Sequence, residues 1–354
     1  MSKQTFKAQV IPSEKLSLIL DPTAKPCLTI YIPRISHTFS KDDRKNLFLA
    51  FARQAEEVIK RDYSFEFAQK FIEKLWLSNP YAELEKYSSS IGFFHHAQFT
   101  GLIPLNGEVE PKIIVAESFH IKPILGWLQE TPPYYLLTLS SNEIKVYKGD
   151  AWDLSFIKTI NNELSDGSKK LSKVKVQEFF RRAENEISHL LDDKSRPVVI
   201  AGVDWVQSLF RKVIKNSNFV TMNIRGDFKR FGLEVLKNAS RGVLSELFKK
   251  AKNKLFIDFE LARNRGKILN NLQDISKAAV EGRIKKILIA RDQVVWGEVM
   301  KGDGNLKIHH RQMNSRDDDI LDNLAEKVME KGGKVLCIPK REIPGQNVAM
   351  AIVY

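Results

Sequence analysis

Cysteine is scarce. The 354 residues contain two, Cys27 and Cys337, far apart and both in apolar, strand-like runs. That argues against a disulfide scaffold and fits free thiols buried in a reducing compartment, so a cytoplasmic location is expected. Long apolar runs are missing as well. None approaches the roughly 20 residues that span a bilayer, and the opening MSKQTFKAQVIPSEK lacks the apolar core of a signal peptide. No P-loop, dinucleotide fingerprint or nucleophile elbow occurs, so those enzyme classes have no sequence support and no cofactor is expected. Internal repeats and long low-complexity tracts are also lacking.

Acids are outnumbered. Lys and Arg total 56 against 43 Asp and Glu, a net charge of +13. This balance speaks of partners rather than of fold. Nucleic acid is the first candidate, because a phosphate backbone rewards dispersed cations through counterion release. A membrane surface comes second, and no membrane partner is expected.

The chain is organised around 197–231. The apolar run Pro197-Val198-Val199-Ile200-Ala201 reads as a strand buried on both faces. After Gly202, apolar residues at Val206, Leu209, Phe210, Val213 and Ile214 share one face of a helix, and Asp204 stands where an N-cap or first-turn acid would help it start. The sequence then turns basic. From Arg211 to Lys254 there are twelve Lys/Arg against three acids, a local net of +9.

Upstream, Cys27 to Ile32 predicts a strand, and Ser40-Lys41-Asp42-Asp43 is a capping pattern that opens a helix. A second helix is expected over Ser64 to Leu77, then strands at Ser90–Phe94, Phe99–Pro104 and Lys112–Val115 and a short helix at Lys122–Leu128. Thr131-Pro132-Pro133 marks a boundary. Strands follow at Tyr134–Leu139 and around Ile144–Tyr147, with a third expected between Asp153 and Ile160. A polar loop, Asn161–Lys173, leads to an amphipathic helix through Val176, Phe180, Ala183, Ile187 and Leu190. Downstream, a long helix from Leu233 to about Leu261 is interrupted by Gly242. Then come a helix at Leu272–Val280, strands at Ile284–Ala290 and Gln293–Val299, a turn at Gly302–Asn305, a helix at Asp317–Lys331, a strand at Lys334–Pro339 and a last one at Asn347–Tyr354. The fold class is α/β, in three parts: 1–132, 133–232 and 233–354.

Catalytic patterns are weak. His95-His96 and His309-His310 are adjacent pairs, and neighbours on a strand point to opposite faces and cannot both ligate one metal. Asp317-Asp318-Asp319 sits at a helix start, where acids suit the dipole. No metal site is expected.

The order and spacing of four stretches resemble the bacterial archaeo-eukaryotic release factor family of the Pelota and release factor superfamily. They are Pro26 to Pro33 with the helix after it; Phe119 to Leu125 running into Tyr134 to Ser140; the Val198 to Val203 strand with its helix; and Ala278 to Ile284 joined to the ending Pro344 to Tyr354. The resemblance implies an N-terminal α/β domain, a ribonuclease H-like middle domain and an α/β/α C-terminal domain like the ribosomal proteins that bind kink-turn RNA. It implies a monomeric, cytoplasmic ligand of the ribosomal A site, acting in hibernation or rescue, with elongation factor Tu or another translational GTPase as a candidate carrier. The hibernation factor Balon is a relative of this kind.

Release factors of the superfamily carry Gly-Gly-Gln on the loop that corresponds here to Asn161–Lys175, and this loop has Gly167 but no such motif. Gly345-Gln346 is a partial lookalike whose place before the last strand suits a turn. No catalytic residue is assigned, and binding without catalysis is the reading favoured. The alternatives are a peptidyl-tRNA-hydrolysing release or rescue factor with a substitute loop, and a Mg²⁺-dependent ribonuclease built on Asp153, Asp166 and Asp204. Candidate RNA contacts are Lys169, Lys170, Lys173 and Lys175 in the loop, and Arg211, Lys212, Lys215, Arg225, Lys229 and Arg230 beyond the central strand. Phe219, Phe228 and Phe231 are interleaved with the latter group, with packing favoured over base stacking.

Overall fold

Alternation along the first predicted strand explains how its sheet is covered. In β2 (Cys27–Ile32), Leu28, Ile30 and Ile32 face one way, and Cys27, Thr29 and Tyr31 the other. The first set joins a core with Phe48, Ala52, Ala55 and Ile59 of α1 (Lys41–Asp62) and Ala68, Phe71 and Leu75 of α2 (Phe65–Leu77). Ser40 and Asp43 form the full capping box, and Ser64 caps α2. The computed structural model describes residues 9–10, 17–20, 24–78, 81, 84–105, 107–163, 171–215, 218–220, 222–228, 232–300 and 302–354.

The first sheet adds β1 (Gln9–Val10), β3 (Ser90–His96), β4 (Phe99–Leu105) and β5 (Lys112–Ala116) in the order β1-β4-β3-β2-β5. Arg44 is buried beneath it at 2% exposure, and burial lowers its pKa. Its guanidinium donates to the carbonyls of Pro33, Leu84, Tyr87, Ser88 and Ser89, so one cation gathers the chain reversal at 84–89.

The chain groups into two compact units: Met1–Trp127 with Ile257–Tyr354, and Leu128–Phe256. In the second unit β6 (Tyr134–Leu139), β7 (Glu143–Gly149) and β8 (Leu154–Asn161) form an antiparallel meander. β9 (Val198–Gly202) pairs parallel to β6, and β10 (Ile224–Arg225) parallel to β9. The resulting order, β10-β9-β6-β7-β8, is the arrangement expected of a ribonuclease H-like domain. α4 (Lys173–Leu190) and α5 (Asp204–Val213) cover one face, packing Phe180, Ile187, Val206 and Phe210 on Leu137, Val198 and Ile200. The long helix α6 (Leu233–Asn264) supplies Leu236, Val243 and Leu244 to the other face, against Leu136, Val199 and Ala201. The central strand is thus buried on both faces, as its unbroken apolar run implies. Gly202 is required there: a Cβ would lie 2.7 Å from the Leu139 carbonyl. The helix runs through Gly242 without a break.

After α3 (Lys122–Glu130) in the first unit's N-terminal half, its C-terminal half carries β11 (Ile268–Leu269), α7 (Leu272–Val280), β12 (Ile284–Ala290), β13 (Trp296–Val299), β14 (Leu306–His309), β15 (Asp318–Asp319), α8 (Ile320–Glu330), β16 (Lys334–Ile338) and β17 (Ala349–Val353). The sheet order is β11-β17-β12-β16, with β14-β13-β15 as a separate small sheet. The predicted helix at Asp317–Lys331 starts later, at Ile320, because Asp318 and Asp319 pair with Gly297 and Trp296 as a strand. Gly345 and Gln346 have φ of 74° and 53°, which fits the expected turn before β17. Both cysteines are buried free thiols, and burial pushes Cys337 up to about 12.

Candidate RNA interface

Strand direction sorts the predicted RNA contacts into two groups. β6, β8, β9 and β10 all run the same way, so α4, which follows β8, and α5, which follows β9, both begin at the carboxyl end of the central sheet. Lys173 and Lys175 stand in the first turn of α4, exposed. Arg225, at the end of β10, lies opposite Gly202 in the register and is also exposed. These three share the carboxyl edge, the edge at which open α/β sheets bind ligands. Arg211, Lys212 and Lys215 lie at the far end of α5, the opposite edge. Lys169, Lys170, Lys229 and Arg230 fall outside the described residues, as do Asp166, Gly167 and Phe231.

The groups differ in how their charges are used. Lys173, Lys175, Lys212 and Lys215 are exposed, and their side chains have no hydrogen bond or ion pair among the described residues. Arg225 is 3.3 Å from Asp204 in a pair that is open to solvent on both sides, the kind worth little. Arg211 is committed internally. Its guanidinium donates to the Val220 carbonyl at 2.6 Å and to Asn223, and lies 5.5 Å from the Phe219 ring centroid. It ties Phe219, Val220 and Asn223 to α5. Phe219 in turn packs on Phe210, and Phe228 packs against the core beneath α6, so both described aromatics serve packing.

The start of α4 is chemically telling. Ser172 caps it and accepts from the Lys175 N–H, yet the first turn has two lysines and no acid. A helix N-terminus favours negative charge by about 0.3–1 kcal/mol per group, so these cations oppose the local dipole. An anion bound there would interact favourably with both the lysines and the free N–H groups.

Sequence reading passed over Trp205. It stands seven residues before Lys212 on the open face of α5 and is 39% exposed. The helical spacing that identified Val206 and Phe210 as core would also have put Trp205 outside. It is an aromatic face at the same edge as Lys173, Lys175 and Arg225, suited to stacking an unpaired base.

Of the nuclease candidates, the two described ones, Asp153 before β8 and Asp204 after β9, stand at opposite ends of strands that run the same way. Asp204 faces Arg225, and the Asp153 carbonyl closes a turn with the Asp150 N–H. The histidine pairs behave as their adjacency implies. His95 bonds Thr100 at 2.7 Å and packs on Phe71, and burial lowers its pKa to about 3. His309 bonds Asp317 at 2.8 Å.

One ionic cluster lay beyond sequence reading. His120, Lys122, Asp319 and Asp322 are all buried in the first unit. His120 Nδ1 is 2.5 Å from Asp322 Oδ2 and 3.5 Å from Asp319 Oδ2. Lys122 Nζ pairs with Asp319 and donates to the Gln293 carbonyl at 2.5 Å. The main-chain N–H groups of Ile121 and Lys122 donate to the two oxygens of Asp322. Burial pushes the Asp322 carboxyl up, but His120, Lys122 and these donors outweigh it and hold the carboxyl below its ordinary value. The His120, Asp319 and Asp322 ligand atoms lie within 4.8 Å of one another, spacing compatible with a metal ion. The Lys122 ammonium, however, already sits on the Asp319 oxygen that such an ion would use, so the donor set fits an internal ion network better than a cation centre.

Residues 133–283 match the model for bacterial archaeo-eukaryotic release factor family 3. No curated protein matches the chain. Among solved structures, a model of ribosome-bound archaeal Pelota and ABCE1 is 10% identical, with 100% of this chain and 98% of that chain covered and a TM-score of 0.46. Dom34 of S. cerevisiae, a translation termination-like factor that interacts with Hbs1, is 15% identical over 72% of each chain, with a TM-score of 0.41. Archaeoglobus fulgidus Pelota is 17% identical over 75% of this chain and 79% of that one, with a TM-score of 0.35. Residues 133–283, which contain the whole cationic surface just described, are thus similar to bacterial archaeo-eukaryotic release factor family 3.

Proposed function

We propose that this protein is a ribosome-associated translation factor that occupies the A site and breaks no bond there, in hibernation or rescue. The observation that carries the reading is the match of 133–283 to a release factor family, in a segment whose carboxyl edge presents Lys173, Lys175 and Arg225 without buried acid partners. Such cations position a protein on phosphate without reading sequence. Trp205 beside them offers a stacking face. Gly-Gly-Gln occurs nowhere in the chain, so the water-positioning chemistry of peptide release has no assigned residue. A monomer delivered by a translational GTPase fits the same reading.

The experiment is co-sedimentation with purified ribosomes across a salt series, paired with a peptide-release assay on stalled ribosomes. The protein is expected to pellet with ribosomes at low salt and to dissociate steeply as salt rises. Replacing Lys173, Lys175 and Arg225 together by Ala should weaken the association and lower the salt slope by about 2–3. Recovery only in the ribosome-free fraction at low salt overturns the reading. Peptide release above background moves it to the hydrolase class.

A further inference from the structure

Another cluster of cations lies in the first unit. The last turn of α6, the approach to β11 and the start of β12 border an open cleft with a volume of 280 Å³. One water needs about 10–15 Å³ on the same kind of measure, so a sizeable group fits. Arg265, Lys267, Lys285 and Lys286 line it, and Asp258 is the one acidic side chain among the lining residues. Asp258 is taken by Lys286 at 2.6 Å. Arg265, Lys267 and Lys285 are exposed, and their side chains have no partner among the described residues.

Ordinary structural reasons account for only part of this. A cation just past a helix C-terminus suits the dipole, which explains Arg265. A lysine beside an edge strand blocks unwanted pairing, which explains Lys267 near β11. Neither applies to Lys285. It belongs to β12, which lies inside the sheet between β17 and β16. The ladder slips at this residue: Ile284 pairs with Val353 and Lys286 with Ile352, so Lys285 is the extra residue of a β-bulge. A bulge re-aims a side chain at the cost of a ladder position. Here it coincides with an exposed lysine lining the cleft.

We propose that this cleft grips the phosphodiester backbone of RNA, with Arg265, Lys267 and Lys285 as the phosphate contacts. Three unneutralised cations converging on a concave site suit a chain of closely spaced phosphates, and Arg265 can take one phosphate with two donors. The assignment does not depend on the A-site reading, which rests on different residues in the other unit.

The test uses the full-length chain with a fluorescein-labelled single-stranded poly(U) and a labelled RNA hairpin, across a salt series. Replacing Arg265, Lys267 and Lys285 together by Ala should weaken binding about tenfold and lower the log K against log salt slope by about 2, at roughly 0.7 per contact. The charge-conserving variant Arg265→Lys with Lys267→Arg and Lys285→Arg, at the same exposed positions, should bind nearly as the parent does. Unchanged affinity and slope in the alanine variant overturn the proposal, as does equal loss in the conservative one. Loss of binding to a labelled acidic peptide, with RNA binding intact, would reassign the cleft to a protein partner and also overturn it. Ribosome co-sedimentation keeps the two readings apart. A parent protein that binds RNA through the cleft but not ribosomes retains this inference and loses the A-site one.

Discussion

Lys122 and Lys212 carry the same ammonium group, and the two units of the chain use it in opposite ways. In the first unit Lys122 is 0% exposed, paired with Asp319 and bonded to a carbonyl, in a cluster that joins the 118–122 segment to α8. Around it Ser118 bonds Asp318, Gln312 bonds the Val115 carbonyl, and Ser315 bonds both Asp62 and Tyr63. Polar groups here fasten the N-terminal half of the unit to its C-terminal half. In the central unit the fastening is apolar on both sheet faces, and Lys173, Lys175, Lys212 and Lys215 stand outside it with no side-chain partner among the described residues. A buried charge costs too much to remain unpaired, so its partners reveal a structural role. An exposed cation costs little either way, so one that opposes a helix dipole needs another reason to be there.

The comparison breaks most sharply at Lys122. Replacing it by Met leaves the Asp319 charge buried and uncompensated, and removal of one partner of a buried pair costs about 3–5 kcal/mol. Urea unfolding of the full chain should show that loss. Adding Asp319→Asn, which keeps an oxygen for the Val295 and Leu321 N–H groups, should recover part of it. A midpoint unmoved by Lys122→Met would remove the cluster from the account of stability.

Asp318 sharpens the contrast through pH. It accepts from Ser118, Asn323 and the Asp319 N–H but has no cation of its own among the described residues, and burial raises its pKa from 3.8 to about 6. A carboxyl raised on folding binds its proton more tightly in the native state. Its contribution is therefore most favourable below about pH 4 and is lost as pH rises through 6, a change of about 3 kcal/mol by linkage. Asp322, depressed, works the other way and loses its contribution as pH falls below the ordinary carboxylate range. Asp318→Asn should raise the melting temperature at pH 7–8 and flatten its decline between pH 4 and 7. Parallel pH profiles for parent and variant would contradict the assignment.

How much of this was legible follows from where each signal lies. Strand 198–202, helix 272–280 and strand 284–290 could be read because continuous or periodic apolar residues end at Gly or polar breaks. Strand 306–309 was missed because its residues are exposed or half-exposed and show no alternation. The carboxyl-edge group of Lys173, Lys175 and Arg225 was named residue by residue, but its separation from Lys212 and Lys215 needed strand directions. Lys122 was invisible as a buried ion, since Phe119-His120-Ile121-Lys122-Pro123 says nothing of partners about 200 residues downstream. Arg44 reads as an ordinary first-turn residue of an amphipathic helix, and only the folded 84–89 segment supplies its acceptors.

The smallest expected effect bears most directly on function. Ser172 is already the N-cap of α4, and Lys175 occupies the third helical position. Lys175→Glu would create the Ser-x-x-Glu capping box and place an acid at the positive end of the dipole. In isolation that should stabilise the central unit by about 0.5–1 kcal/mol, read as a small rise in its unfolding midpoint. The same change should weaken ribosome association, since it turns a phosphate contact into a repulsion, and the loss should shrink as added salt screens the site. Stability and binding are then expected to move in opposite directions on one substitution. A lysine present only as a solvated surface charge would yield the first effect without the second, and that outcome would detach the start of α4 from the RNA interface.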